Sequence, residues 1–357
     1  MAYSDNLPAI LSGLNGLTEA ERMNIANLIF TETFAVKNIK DTHPTISEVR
    51  SGSRVPILLE TEDYGGFPFT VGNCTLPACD ISSNWSEYTW NLGQIGCEVT
   101  ICMEDFSHDF LAFFNTWKKM NEGDIESAVV QFIIERFQSR HLKAEIRVAY
   151  FSDSASADAL INGFDGFFAQ MEAIATADNL VDIAENATVP STVITDGEII
   201  LAYLKQMYTK ASKNAWFRPE NMVWRLDRSD VYALVGFLNT INDRNQYGVD
   251  VIDPTKVTQS RIFTVDNLSI LGIPVEPMPF RDAMRAVAEL YDSGTGVYVN
   301  PNRYILARRE TLILGYEIEE TLKRFKVGYD DRADEIYIKG ASLFGAGVPQ
   351  NTFILGI

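Results

Sequence analysis

An α+β protein with one long internal helix is the fold this sequence predicts, on three observations. Residues 124–146 form a helical run that is apolar around most of its circumference. Residues 195–302 alternate strand and helix patterns, and from Arg303 onward the chain is almost all strand.

The helical run, DIESAVVQFIIERFQSRHLKAEI, is the longest uninterrupted one in the chain. Ser127, Gln131, Glu135 and Gln138 recur at helical spacing as one narrow polar stripe, while Ile125, Val129, Val130, Phe132, Ile133, Ile134 and Phe137 fill most of the rest. Such a helix must be covered on several sides. At the helical rise it makes a rod about 30 Å long, suited to crossing a flat layer as a straight beam. An ordinary buried helix of a large soluble domain is the plainer reading of the same periodicity.

Ahead of the beam, residues 1–17 read as a loose arm, and T-E-A-E at 18–21 is a capping box opening a helix with Met23, Ala26, Ile29, Phe30 and Phe34 on its apolar face. Residues 41–102 change character. Short strand patterns (RVPILLE, FPFTV, CEVTICM) are broken by Gly-, Asn- and Ser-rich turns, with too few apolar residues for a core of their own. An excursion of that length is expected to be functional or interfacial. EDFSHDFLAFFNTWKK then predicts an aromatic-rich helix leading into the beam.

After the beam, residues 147–151 predict a strand, 162–175 a turn and a short helix, and 181–193 a connector. The second block opens with a capping box, Thr195-Asp196-Gly197-Glu198, before a helix with Ile199, Ile200, Tyr203, Leu204 and Met207 on one face. NMVWRLD predicts a strand, SDVYALVGFLNTI a capped helix, IFTV and LSILGIPVEPM strands, and FRDAMRAVAELY a helix started by Pro279. YILARRETLILGYEI, KRFKVGYD and DEIYIKGASL close the chain as strands.

With 357 residues there is ample length for a core and for two or three substructures. A net charge of -18, from 30 Lys and Arg against 48 Asp and Glu, argues against adhesion to nucleic acid or an anionic membrane by charge. The N-terminus has neither the basic region nor the apolar core of a signal peptide, so synthesis in a cytoplasm is expected, with the four cysteines starting as thiols.

Enzymatic signatures are scarce. There is no phosphate loop, no dinucleotide fingerprint, no H-E-x-x-H and no nucleophile elbow. Glu104, Asp105, His108 and Asp109 could offer metal ligands on one helical turn, but a solvated, acid-rich helix start is the expected reading. Cys74 with Cys79 and Cys97 with Cys102 form two pairs of equal spacing. Zinc, disulfides and plain thiols all stay open, and thiols are favoured because an odd step along a strand sends two sulfurs to opposite faces. No catalytic residue and no cofactor is expected.

From Asp196 to the C-terminus the chain resembles the major capsid proteins of tailed double-stranded DNA bacteriophages, whose fold is shared with herpesvirus capsids and encapsulins. The capped helix, NMVWRLDRSDVYAL, LGIPVEPMP, RYILARRETLILGYEI and KRFKVGYDDRADEIYIKGASL stand in that family's order, and NGFDGFFAQM is similar to its members too. In the front half the arm, the β-rich excursion and the beam are similar in architecture to the family's N-terminal arm, extended loop and spine helix.

The resemblance implies a division into an arm and helix (1–40), an extended loop (41–102), a peripheral domain (103–194 and 303–357, with the spine helix at 124–146) and an axial domain (195–302). It implies a structural, non-enzymatic protein that assembles as hexamers and pentamers into an icosahedral shell around double-stranded DNA, without sequence-specific binding and without a membrane. Portal, scaffolding and decoration proteins are the implied partners besides the chain itself, and the implied place is the virion capsid, assembled in the host cytoplasm. Met23, Phe30, Phe34, Arg50, Arg54, Tyr64, Phe67, Trp85 and Trp90, on the arm and loop, are the implied subunit contacts. An encapsulin-type compartment and a cytoplasmic metal-dependent α/β enzyme are the alternatives.

Some relatives lock subunits with an isopeptide bond from a loop lysine, and others are trimmed during maturation. Met1 heads this sequence, so no trimming is expected, and no lysine lies between Lys40 and Lys118. Assembled particles boiled in detergent and reductant are therefore expected to run as single chains; a ladder of covalent oligomers would contradict this.

Overall fold

The computed structural model describes residues 39–58, 85–102, 125–188, 191–247, 268–317, 326–330 and 335–357, with isolated positions among the remainder. The expected arm and its helix, the FPFTV and IFTV strands and the helix over 104–119 lie outside the described residues, apart from single positions.

In chain order, a one-turn helix α1 (Ile39–Thr42) precedes strands β1 (Thr45–Ser47), β2 (Arg54–Leu58), β3 (Trp85–Thr89) and β4 (Gly93–Cys102). The beam is α2 (Ile125–Phe151), followed by α3 (Phe167–Ile174), β5 (Leu180–Val181), α4 (Ala184–Thr188), α5 (Gly197–Ala211), β6 (Met222–Asp227) and α6 (Arg228–Tyr247). Then come β7 (Ser269–Ile270), β8 (Ile273–Met278), α7 (Phe280–Met284), β9 (Tyr291–Asp292) and β10 (Val297–Tyr298). The closing strands are β11 (Tyr304–Arg308), β12 (Ile313–Glu317), β13 (Lys326–Asp330), β14 (Glu335–Gly347) and β15 (Phe353–Gly356). The α+β class expected from the sequence is the class observed.

Two compact units result. The first draws on Met1–Arg50, Asn91–Ala169 and Ile313–Ala346, the second on Ser51–Trp90, Gln170–Leu312 and Gly347–Ile357. This division differs from the expected one: residues 170–194, 303–312 and 347–357, expected with the beam, fall in the second unit, and 91–102, expected in the extended loop, fall in the first. Residues 303–312 and 347–357 go to the second unit because β11 pairs with β6 and β15 with β11. Residues 91–102 leave the extended loop for the first unit because β4 pairs along β14.

The first unit is built on a sheet of order β1-β12-β14-β13, with β4 also paired to β14. The antiparallel β4–β14 register runs unbroken from Cys102↔Glu335 to Gly93↔Phe344. Ile336, Ile338, Ala341 and Phe344 are buried, while Lys339 is exposed and ion-pairs at 2.6 Å with Glu98 directly across the ladder.

Residues 147–151, expected as a strand, are instead the last turns of α2. Val148, Tyr150 and Phe151 lend that stretch strand propensity, but residues 148–152 are buried without interruption at the end of a helix already facing inward at His141 and Glu145, and this tertiary burial overrides the local preference. The helix is thus 27 residues, about 40 Å, long. Its end is crossed by Gly166, whose N–H donates to the Ser152 carbonyl at 2.7 Å; a Cβ there would stand 2.8 Å from the Ala149 oxygen.

His43 ties α1 to the same helix end. Its Nδ1 lies 3.1 Å from the Ile39 carbonyl, its Nε2 lies 2.8 Å from the Tyr150 hydroxyl, and its ring stacks on Phe167. A ring protonated on Nδ1 satisfies both, donating to Ile39 and accepting from Tyr150.

The second unit contains a six-stranded mixed sheet, β5-β15-β11-β6-β8-β7. On one face Trp224, Leu226, Tyr304, Leu306 and Ile354 pack with Ile200, Leu204 and Met207 of α5 and Val231 and Leu234 of α6. The other face is buried too, at Val223, Arg225, Ile305 and Phe353. β6 therefore has no solvent side, and any charge in it must be paired.

Several local details correct the expectation. The N-cap of α5 is Asp196, not Thr195: residue 196 is extended and its Oδ1 accepts from the Glu198 N–H at 2.8 Å. LSILGIPVEPM is not one strand but the β7–β8 hairpin, turned at Leu271 and Gly272, both with positive φ (55° and 81°). The helix expected over FRDAMRAVAELY stops at Met284; beyond it the N–H groups of Val287 and Leu290 bond back only three residues, as turns.

Gly197, the first residue of α5, marks where α5 and α6 touch backbone to backbone. A Cβ there would lie 2.5 Å from the Ala233 oxygen and 2.6 Å from Phe237 Cβ, whereas at Gly236 on α6 it would meet nothing within 4 Å. Gly197→Ala is expected to destabilise the fold by about 1–3 kcal/mol through overpacking. Gly236→Ala, in contrast, should stabilise it by about 0.5–1 kcal/mol by removing helix-interior glycine. Urea unfolding of both variants checks the pair.

Candidate assembly surface and a buried charge cluster

β2 and β3 form an antiparallel stem, in register from Arg54↔Thr89 to Leu58↔Trp85, that carries the stretch 59–84 between its ends. Its base is fixed to the second unit. The Tyr88 hydroxyl donates to Gln170 Oε1 at 2.9 Å, the same oxygen accepts from Val348 N–H at 3.0 Å, and Gly347 leaves room for the Tyr88 and Trp90 rings.

Of the implied contact residues, Arg50 and Arg54 are exposed, and Arg54 pairs with Glu87 at 3.1 Å in open solvent. Trp90 points the other way. It is 2 % exposed and packs edge-on against Tyr88, so it anchors the stem from beneath. Trp85 is described only by its backbone, opposite Leu58. Met23, Phe30, Phe34, Tyr64 and Phe67 lie outside the described residues, as do Cys74, Cys79, Glu104, Asp105, His108 and Asp109.

Cys97 and Cys102 both fall on β4, opposite Gly340 and Glu335, an odd number of steps apart on an unbroken ladder. Cys102 is exposed. Among the described residues, no group of three or more His, Cys, Asp and Glu side chains is placed to hold a metal ion. Nor is any helix among them long and apolar enough to cross a membrane.

The chemically densest place is at the carboxyl ends of β6 and β8, parallel neighbours that feed α6 and α7. Asp227 Oδ1 accepts from the Arg281 backbone N–H at 2.7 Å, and Oδ2 accepts from Arg281 Nη1 and from Ser229 N–H, each at 3.0 Å. The Ser229 hydroxyl donates to Asp227 and accepts from Arg281. Arg281 Nη2 reaches Asp230 Oδ1 at 2.6 Å. One guanidinium thus serves two buried carboxylates.

Burial pushes the Asp230 carboxyl up to about 7, the opposing pull of Arg281 notwithstanding, and Asp227 adds to the rise. Tyr304, fully buried on β11, is held above the usual tyrosine range by burial first and by Asp230 next. Along the same two strands, Arg225 and Glu276 make a second ion pair at 3.3 Å.

Sequence reasoning missed this cluster. A signal was present: Arg225 and Asp227 interrupt an otherwise apolar strand, which in a sheet covered on both faces demands partners. Arg281, more than fifty residues on, is brought to them by the parallel pairing of β6 with β8.

No protein-family profile matches this chain, and no curated protein matches it. Among solved structures it is similar to a chain of the satellite phage P4 procapsid that includes the size determination (Sid) protein. That likeness has 14% identity and a TM-score of 0.48, covering 100% of this chain and 97% of the other. It is similar as well to a chain from Mycobacterium phage Ogopogo (12% identity, TM-score 0.48, 91% and 94% covered). A third is from the capsid of the cyanophage P-SCSP1u (13% identity, TM-score 0.43, 92% and 93% covered).

Two ion pairs of like chemistry but opposite exposure give a test. Arg281→Met, which strands two buried carboxylates, is expected to cost about 3–5 kcal/mol. Arg54→Ala, in a pair 70% and 60% exposed, is expected to cost only about 0–1 kcal/mol. Urea midpoints of the two variants against the parent check the contrast.

Proposed function

We propose that this chain is the repeating subunit of a closed icosahedral shell of the tailed-phage major capsid type, assembling as hexamers and pentamers around double-stranded DNA. The observation that carries the reading is the order of its pieces. A projecting hairpin stem, a 27-residue helix, a capped helix followed by strand and helix, and closing strands follow one another as they do in the family the sequence resembles. The net charge of -18 suits a wall that confines DNA without gripping it. Contact with sister subunits is the role assigned to Arg50, Arg54 and the stretch carried by the stem, and to the arm with Met23, Phe30 and Phe34. Shells form in the host cytoplasm and end as the virion capsid, with portal, scaffolding and decoration proteins as further partners.

Purified chain is expected to sediment in the megadalton range and to show closed shells in negative stain. Particles from the native source should absorb at 260 nm as nucleic acid does. Protein-filled shells without nucleic acid would favour the encapsulin-type compartment, and a small species that turns over a substrate would overturn the proposal.

A further inference from the structure

The cluster at the ends of β6 and β8 holds two carboxylates against one guanidinium, so with all three charged it carries one uncompensated negative charge in a buried place. Asp230 is 0% exposed, Asp227 3% and Arg281 9%. Burying an unbalanced charge is among the costliest arrangements a fold can contain, and ionisable groups relieve it by taking up or losing a proton.

The two carboxylates are not equivalent. Asp227 accepts bonds from two backbone N–H groups, a guanidinium and a hydroxyl. Asp230 has one bond, through Oδ1 to Arg281, and its Oδ2 is buried without a hydrogen-bond partner. The Tyr304 hydroxyl is buried and unpartnered as well, and its ionisation responds to Asp230 and Arg281, which puts it in the field of the same cluster.

We propose that this cluster is a binding site for a single proton, carried on Asp230 Oδ2, which neutralises the junction of β6, α6 and α7. The proton turns Oδ2 from a bare acceptor into a donor and removes the uncompensated charge. Asp227 on β6 disfavours the charged form of Asp230, and Arg281 on α7 favours it. The Tyr203 hydroxyl of α5, bonded to Glu185 of α4 at 2.5 Å, also acts on Tyr304. The Arg225–Glu276 pair of β6 and β8 supplies its own compensation. This proposal does not rest on the shell reading.

The consequence for stability has a definite sign. The carboxyl of Asp230 rises from 3.8 to about 7, so between those values the folded chain holds a proton that the unfolded chain has released. Stability from this group is therefore gained as pH falls through about 7 and lost as pH rises through it, opposite to an ordinary salt-bridged aspartate.

The full chain, kept as unassembled subunits, is unfolded in urea from about pH 5 to about pH 8, with tryptophan fluorescence as the probe. Relative to Asp230→Asn, which mimics the protonated carboxyl, the parent's unfolding constant is expected to rise roughly a hundredfold across that range. Equal pH dependence in the two proteins would overturn the proposal. Infrared spectroscopy of the parent needs no variant. A protonated-carboxyl band in the native chain near pH 6, gone by about pH 8.5 and missing from the unfolded chain, supports the site; a native chain without that band refutes it.

Discussion

The unbroken ladder between Gly93–Cys102 and the first ten residues of Glu335–Gly347 is the constraint on which the first unit depends. β14 is the strand that β4, β12 and β13 all border, and it arrives more than two hundred residues after β4. The sheet cannot close until nearly the whole chain is available, because the entropy of so long a loop is lost before any ladder bond returns it. α2 meets the requirement from the other direction. Its hydrogen bonds are local, but its stability comes from packing, and β4 is the strand that packs on it. The unit thus combines a local beam with a non-local sheet, joined where β4 touches the helix and pairs with β14.

In the second unit the governing fact is that β6 is buried along its whole length on both faces. Hydrophobic contacts satisfy Trp224 and Leu226 on the side of α5 and α6. The charges at Arg225 and Asp227 cannot be satisfied that way, and the fold answers with Glu276 and Arg281, both delivered by β8 and the turn of helix after it. Parallel pairing does the delivery. Arg225↔Glu276 stand directly opposite in the register, and Asp227↔Met278 places the start of α7 beside the start of α6. Contrast Arg54 with Glu87, an ion pair in open solvent that fixes nothing else.

Much of this architecture was legible because long periodic segments state their own structure. The polar stripe of α2, the alternation through β14 and the strand-then-helix reading of MVWRLD and its sequel needed no partner to be recognised. What failed was local in pattern and settled by distant contacts. RVAYF has strand-forming residues yet stays helical, since residues 148–152 are all buried at the end of a helix that already faces inward at His141 and Glu145. FRDAMRAVAELY has helical spacing yet ends at Met284. Leu271 adopts positive φ beside Gly272, so a turn hides inside an apolar run. The candidate contacts divide in the same way. Arg54 could be placed on a stem from its strand pattern, but the inward turn of Trp90 is set by Gly347, which comes from the far end of the chain.

That inward turn bears on how a two-stranded hairpin is fixed without a core of its own. A two-stranded ribbon is marginal alone, so its direction must come from its base. Here the base has an aromatic floor in Tyr88 and Trp90, and a polar lock in Gln170, whose one oxygen serves both Tyr88 and the backbone of Val348. Gly52 N–H donates to the Trp90 carbonyl and Trp90 N–H to the Ser53 carbonyl, which closes the stem at its root. Both strands are therefore gripped at their root by side chains of the same unit, while Arg54 and Glu87, two to three residues on, are already in solvent, so the hairpin's position is set by aromatic packing and one shared amide oxygen rather than by its own ion pair.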